Sequence, residues 1–123
     1  MKYLILIYDN PNSRQVWMRL TEAQRAETVG GYVTLNEVLA AAGEKIVSEA
    51  LADPSLTKRV SVHEGRTMTT DGPFAEVKEQ LAGFYLIDCE SMARAIEYAA
   101  MVPEARFGVV EVRPVMDLGA LGI

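Results

Sequence analysis

Two short apolar runs that fail to alternate constrain this chain most. Tyr3-Leu4-Ile5-Leu6-Ile7-Tyr8 and Phe84-Tyr85-Leu86-Ile87 place hydrophobic side chains at consecutive positions. Consecutive residues of a strand point to opposite faces of a sheet, so each run needs cover on both sides. The first run is far too short to span a bilayer and lacks the small-residue cleavage site of a secretory leader. With 123 residues, half of them apolar, the chain is long enough for one domain with its own core.

Thr21-Glu22-Ala23-Gln24 fits a capping box and predicts a helix over about residues 22–42, with Gly43 as its C-terminal cap. Tyr32, Leu35, Val38, Leu39 and Ala42 recur on its core face. Gly30-Gly31 in mid-helix costs about 1 kcal/mol per glycine relative to alanine and reads as close packing of helix on sheet. Upstream, Asp9-Asn10-Pro11-Asn12-Ser13 is a cluster of turn formers and reads as a loop, with an earlier helix start near Ser13 left open.

Residues 45–51 form a second strand. Residues 58–64 alternate, with Arg59, Ser61 and His63 on one face and Val60 and Val62 on the other. Glu64-Gly65 is a hairpin signal, and residues 66–70 return beside them. After the Asp71-Gly72-Pro73 turn comes the strand 83–89. Ser91 caps a helix of about residues 92–101 that Pro103 ends, and 109–115 is the last strand, before a Gly/Leu-rich tail over 117–123. The order is β-α-β, hairpin, β-α-β. It predicts a single α+β domain, a ferredoxin-like split βαβ sandwich whose antiparallel sheet carries two helices on one face. Two helices leave the other apolar face bare, and a second copy of the same sheet is the economical cover, so a homodimer is expected.

The net charge of −5, from 12 basic and 17 acidic residues, argues against a nucleic-acid or anionic-membrane partner. The lone Cys89 cannot form an internal disulfide and its acidic neighbours disfavour a thiolate. The expected address is the cytoplasm. One histidine and one cysteine cannot build the usual zinc site, and no phosphate-binding glycine loop or nucleophile elbow is present. No metal and no cofactor are expected.

Chemistry concentrates in residues 69–84 and the hairpin before them. Asp71 precedes Gly72-Pro73 and can cap the turn, the commonest job of such an aspartate, or serve as a carboxylate at a cleft rim. Lys78, with Glu79 and Gln80, can meet a polar or anionic ligand or make surface ion pairs. His63 is the only histidine and could contact a ligand, although a solvated strand position is the plainer reading. Phe74 is read as a plug for the core or a dimer groove, with stacking on a ligand as the minor reading.

Thr70-Asp71-Gly72-Pro73-Phe74-Ala75-Glu76, Lys78-Glu79-Gln80, Gly83-Phe84 and Glu111-Val112-Arg113-Pro114, with the opening Met1-Lys2-Tyr3-Leu4 and Ala41-Ala42-Gly43, resemble the YCII-related family in its DGPF-domain branch. The resemblance covers roughly residues 1–116. It implies a small cytoplasmic protein forming a dimeric α+β barrel, in a family mostly without assigned activity. Some YCII-like proteins are thought to be enzymes using a His–Asp pair, and relatives beside extracytoplasmic-function sigma factors suggest a regulatory link. Counting back from Gly43, the histidine position holds Tyr32, and the acid corresponds to Asp71. A phenol with a pKa of about 10 is a poor general base at neutral pH. The expected function is therefore binding of a small polar or anionic molecule in a cleft near Asp71, with Phe74, Lys78 and His63 as further contacts. The alternative is a lyase- or isomerase-like enzyme with Asp71 as base and Tyr32 as proton donor, acting on a small organic acid or ring.

Overall fold

The first apolar run becomes β1 (Lys2–Asp9), which pairs antiparallel with β5 (Gln80–Asp88) on one side and β6 (Val110–Pro114) on the other. β2 (Lys45–Ala50) pairs antiparallel with the far edge of β5, giving the strand order β2-β5-β1-β6. The computed structural model describes residues 1–73 and 78–123. The strand order is that of the expected ferredoxin-like α+β sandwich. Gly83 is needed at the β2 edge, because a Cβ there would lie 2.9 Å from the Glu49 carbonyl oxygen.

Burial alternates along the strands even though hydrophobicity does not. Tyr3, Ile5, Ile7, Tyr85 and Ile87 are buried on the face that meets the helices. Across from them sit Leu35 and Leu39 of α2 (Glu22–Ala42), Ala95, Tyr98 and Ala99 of α3 (Met92–Met101), and Val102. Full burial of each large side chain contributes about 1.5–3 kcal/mol. Leu4, Leu6, Phe84 and Leu86 point the other way and stay half-exposed. The Tyr98 hydroxyl ties α3 to the turn that follows α2: it donates to Glu44 Oε1 at 2.6 Å and accepts from Arg94 at 2.9 Å.

Among the described residues there are three α-helices rather than two. The segment read as a loop is the start of α1 (Pro11–Arg19). Asn10 accepts from the Ser13 N–H at 2.8 Å, Ser13 Oγ accepts from the Asn10 N–H at 2.9 Å, and Pro11 takes the first helical position. The same residues that favour turns also satisfy the free donors of a helix start, and here the second use wins. The Thr21–Gln24 capping box then opens α2 as expected, and Gly43 closes it at φ 66°.

β3 (Lys58–His63) and β4 (Arg66–Asp71) form a separate two-stranded sheet joined by Glu64-Gly65, both at positive φ. Every residue of both strands is exposed. The 117–123 tail includes a short 3-10 turn, Leu118–Leu121.

Candidate functional site

A glycine decides where the site forms. After α3 the chain enters a 3-10 turn, Pro103–Phe107, that packs against α2. A Cβ built on Gly31 would sit 3.0 Å from Pro103 Cγ, whereas one on Gly30 would meet nothing within 4 Å. Gly31 thus lets the turn close on the helix. The close contact is helix against turn, not the helix-on-sheet contact read from the sequence. The residues that follow each contact point, Tyr32 and Glu104, are brought together, and the Tyr32 hydroxyl donates to Glu104 Oε2.

That pair stands on the wall of a chamber of about 430 Å³, within the size range of small-molecule sites. Ser48, Glu49, Phe84 and Tyr85 complete the part of the lining that carries polar or aromatic groups. Burial first, then the bond to Glu104 and the charge of that carboxylate, push the Tyr32 phenol well above its ordinary value. It remains a neutral hydrogen-bond donor at any physiological pH. Tyr85 is also raised, chiefly by burial, with a hydrogen bond from Asn36 opposing the shift. Asn36 lies one turn beyond Tyr32 on the same helix face. The chamber therefore offers one phenol already committed to a carboxylate, a second phenol held by an amide, and an apolar wall.

Of the residues singled out in the sequence, Tyr32 lines this chamber, while Asp71, His63 and Lys78 do not. Asp71 ends β4, and its Oδ1 accepts from Lys58 Nζ across the hairpin, with both side chains largely exposed. The His63 ring is 77% exposed and lies 4.0 Å from Glu64 Oε1. Lys78 is exposed. Phe74 falls within 74–77, outside the described residues. Sequence reasoning missed Glu104. Its one available signal was the Gly30-Gly31 pair beside Tyr32, which announces a close neighbour without saying which. Cys89 is buried, and burial pushes its thiol up from the ordinary value, so it is poorly suited to act as a nucleophile. Among the described residues no three potential metal ligands converge.

A family model of the YCII-related domain matches residues 1–119. An uncharacterised protein of Rhizobium meliloti is 35% identical over 116 residues, covering 93% of this chain and 91% of that protein. Among solved structures, a 5-chloro-2-hydroxyhydroquinone dehydrochlorinase from Burkholderia phenoliruptrix, in complex with 2,5-dihydroxybenzoquinone, superposes with a TM-score of 0.52. That match covers 94% of each chain at 18% sequence identity, a level that speaks for the fold alone.

Proposed function

The chain belongs to the YCII-related family, and from that premise we propose that it is a homodimer that binds a small polar molecule in the chamber beside Tyr32 and Glu104. The observation that carries this reading is the half-buried phenol–carboxylate pair on the chamber wall. A polar pair kept in a recess, where an apolar filling would stabilise the fold at less desolvation cost, is a reason to look for a ligand. The four half-exposed apolar side chains of the open sheet face, Leu4, Leu6, Phe84 and Leu86, support the dimer. Asp71 is read as structural, a cross-strand partner for Lys58 at the root of the hairpin.

The test is a ligand screen by melting shift, using hydroxylated aromatic rings and small carboxylic acids. A ligand at a hundred times its Kd adds about 2.7 kcal/mol of stability. Compounds that raise the melting temperature should lose that effect in Tyr32→Phe and Glu104→Gln and keep it in Asp71→Asn. The opposite pattern, loss in Asp71→Asn alone, overturns the choice of chamber.

A second reading, proton-transfer catalysis, is favoured by the direction of the Tyr32–Glu104 bond. Glu104 can take a proton from a bound substrate. Once protonated it can donate back to the Tyr32 oxygen, which frees the phenolic hydrogen to neutralise an oxyanion developing on the substrate. The bound dihydroxybenzoquinone of the Burkholderia enzyme is a single ring, and a single ring suits a chamber of this volume. Turnover that disappears in Glu104→Gln while ligand melting shifts persist would establish this reading over simple binding.

A further inference from the structure

A second recess of about 400 Å³ opens between α1, the first turns of α2 and the Pro103–Phe107 turn. Ala82 and Glu104 are common to its wall and to that of the first chamber. We infer that the two recesses are halves of one site, which takes a hydroxylated ring carrying an apolar substituent, the ring beside Tyr32 and the substituent against Trp17. The inference deepens the function proposed above and rests on it.

A bulge in β5 keeps the partition between the halves slight. Ile7 of β1 pairs with Gly83 and Tyr8 with Leu81, so Ala82 is an extra residue between the two pairs. An inserted residue of this kind bends its strand and re-aims its side chain. Ile7 borders the first recess, Tyr8 the second, and Ala82 both. Where β5 passes from one recess to the other, it therefore presents only a methyl group.

The other shared residue is a carboxylate with one oxygen in use. Glu104 Oε2 takes the Tyr32 hydrogen, and Oε1 has no hydrogen-bond partner among the described residues. Unlike Asp9 Oδ1 and Asn36 Oδ1, that oxygen is not sealed from solvent. A carboxylate oxygen can only accept, so it suits the hydroxyl of a ring lying beside Tyr32. Beyond it, Val16, Trp17, Leu20 and Phe107 give the second recess an apolar wall. Its charged residues Arg14, Glu27 and Arg106 are exposed, so an apolar substituent can enter without stripping them of water. Each recess alone suits one ring, and the two together stay within the size range of small-molecule sites.

Phenol and 4-benzylphenol, which share the hydroxylated ring and differ by a benzyl group, are the probes. Trp17 is the only tryptophan of the chain and lines the second recess but not the first, so its emission reports on the substituent. 4-Benzylphenol should bind about tenfold more tightly than phenol, with a Kd of about 0.1 mM, and should change Trp17 emission saturably. Phenol should raise the melting temperature without changing that emission. Tyr32→Phe should weaken both probes, while Trp17→Ala and Ala82→Leu, followed by melting shift, should each remove the advantage of the benzyl group. A phenol melting shift that needs Tyr32, with no gain from the benzyl group and a silent Trp17, overturns this inference and leaves the first chamber standing. A Trp17 response to 4-benzylphenol that Tyr32→Phe leaves untouched also overturns it, because the recesses would then bind separately. No melting shift from either probe overturns the inference and the reading it rests on together.

Discussion

Alanine at Gly30 should stabilise the fold and alanine at Gly31 should not, although the two residues are neighbours in the same helix. Each substitution replaces the poorest non-proline helix former with the best, a gain of about 1 kcal/mol. At Gly30 the new methyl group meets nothing within 4 Å, so the whole gain should be realised. At Gly31 it arrives 3.0 Å from Pro103 Cγ. The proline ring is stiff and its turn is anchored, so the turn must move, and overpacking of that kind costs about 1–3 kcal/mol. Gly31→Ala should therefore be near neutral or destabilised by up to about 2 kcal/mol, taking the propensity gain from the overpacking cost. For a chain of this size 1 kcal/mol moves the melting temperature by about 4 °C. Gly30→Ala should melt about 4 °C above the native protein and Gly31→Ala about 4–12 °C below Gly30→Ala. A second readout follows from the site. Moving Pro103 carries Glu104 away from Tyr32, so the phenol of Gly31→Ala should ionise at lower pH than in the native protein, though still above the ordinary range because burial is the larger cause. If Gly31→Ala is stabilised as much as Gly30→Ala, the contact that builds the chamber does not exist.

Alkaline stability should follow the tyrosines. Tyr8, Tyr32, Tyr85 and Tyr98 are all raised in the folded protein, with burial the first cause in each, so their contribution is complete below the unfolded value of about 10 and declines as pH climbs past it, most steeply for Tyr32, whose large shift gives about 1.4 kcal/mol per pH unit. Tyr32→Phe should make that decline shallower by one proton in denaturant melts, and an unchanged slope would contradict the assignment. Asp71→Ala should cost less than about 1 kcal/mol, because its ion pair with Lys58 lies in solvent; a larger loss in a urea melt would show that Asp71 anchors more than the hairpin root. Leu6→Lys on the open sheet face should yield a folded monomer of 13.5 kDa by light scattering, against twice that mass for the native protein; a native monomer at micromolar concentration refutes the dimer.

Local chemistry was legible in the sequence, and distant coincidence was not. The Thr21–Gln24 box, the Gly43 cap, the Glu64-Gly65 turn and the Ser91 cap each act within a few residues, and the structure uses each as read. The ferredoxin-like fold class followed from the β-α-β, hairpin, β-α-β order of elements, and the strand order β2-β5-β1-β6 fits it. α1 was ambiguous for a physical reason: Asn10, Pro11 and Ser13 are as suited to opening a helix as to making a turn. The hairpin gave no cue that it would stand apart, since Val60 and Val62 alternate as a half-buried strand would, yet they are 65% and 69% exposed. The site was the least legible part. Tyr32 and Glu104 are 72 residues apart, and nothing local to either specifies the other. Asp71 drew attention because its turn chemistry is conspicuous, whereas the chamber depends on a contact between a glycine read as packing on the sheet and a proline read only as a helix end.

The separation of β3 and β4 from the main sheet divides the molecule into two units of unequal persistence. The hairpin root is tied by the Gly72 N–H to the Thr57 carbonyl at 2.9 Å, and its ladder shares no strand with the sheet built on β1. Opening it breaks no bond of that sheet and exposes no buried core residue. Its amides should therefore exchange with solvent deuterium through local excursions of small free energy, while those of β1, paired on both sides, wait for global unfolding. Such an arm can change its length, its residues or its partner at little cost to the fold that carries it, leaving it free to diverge while the chamber between helix and turn stays in place.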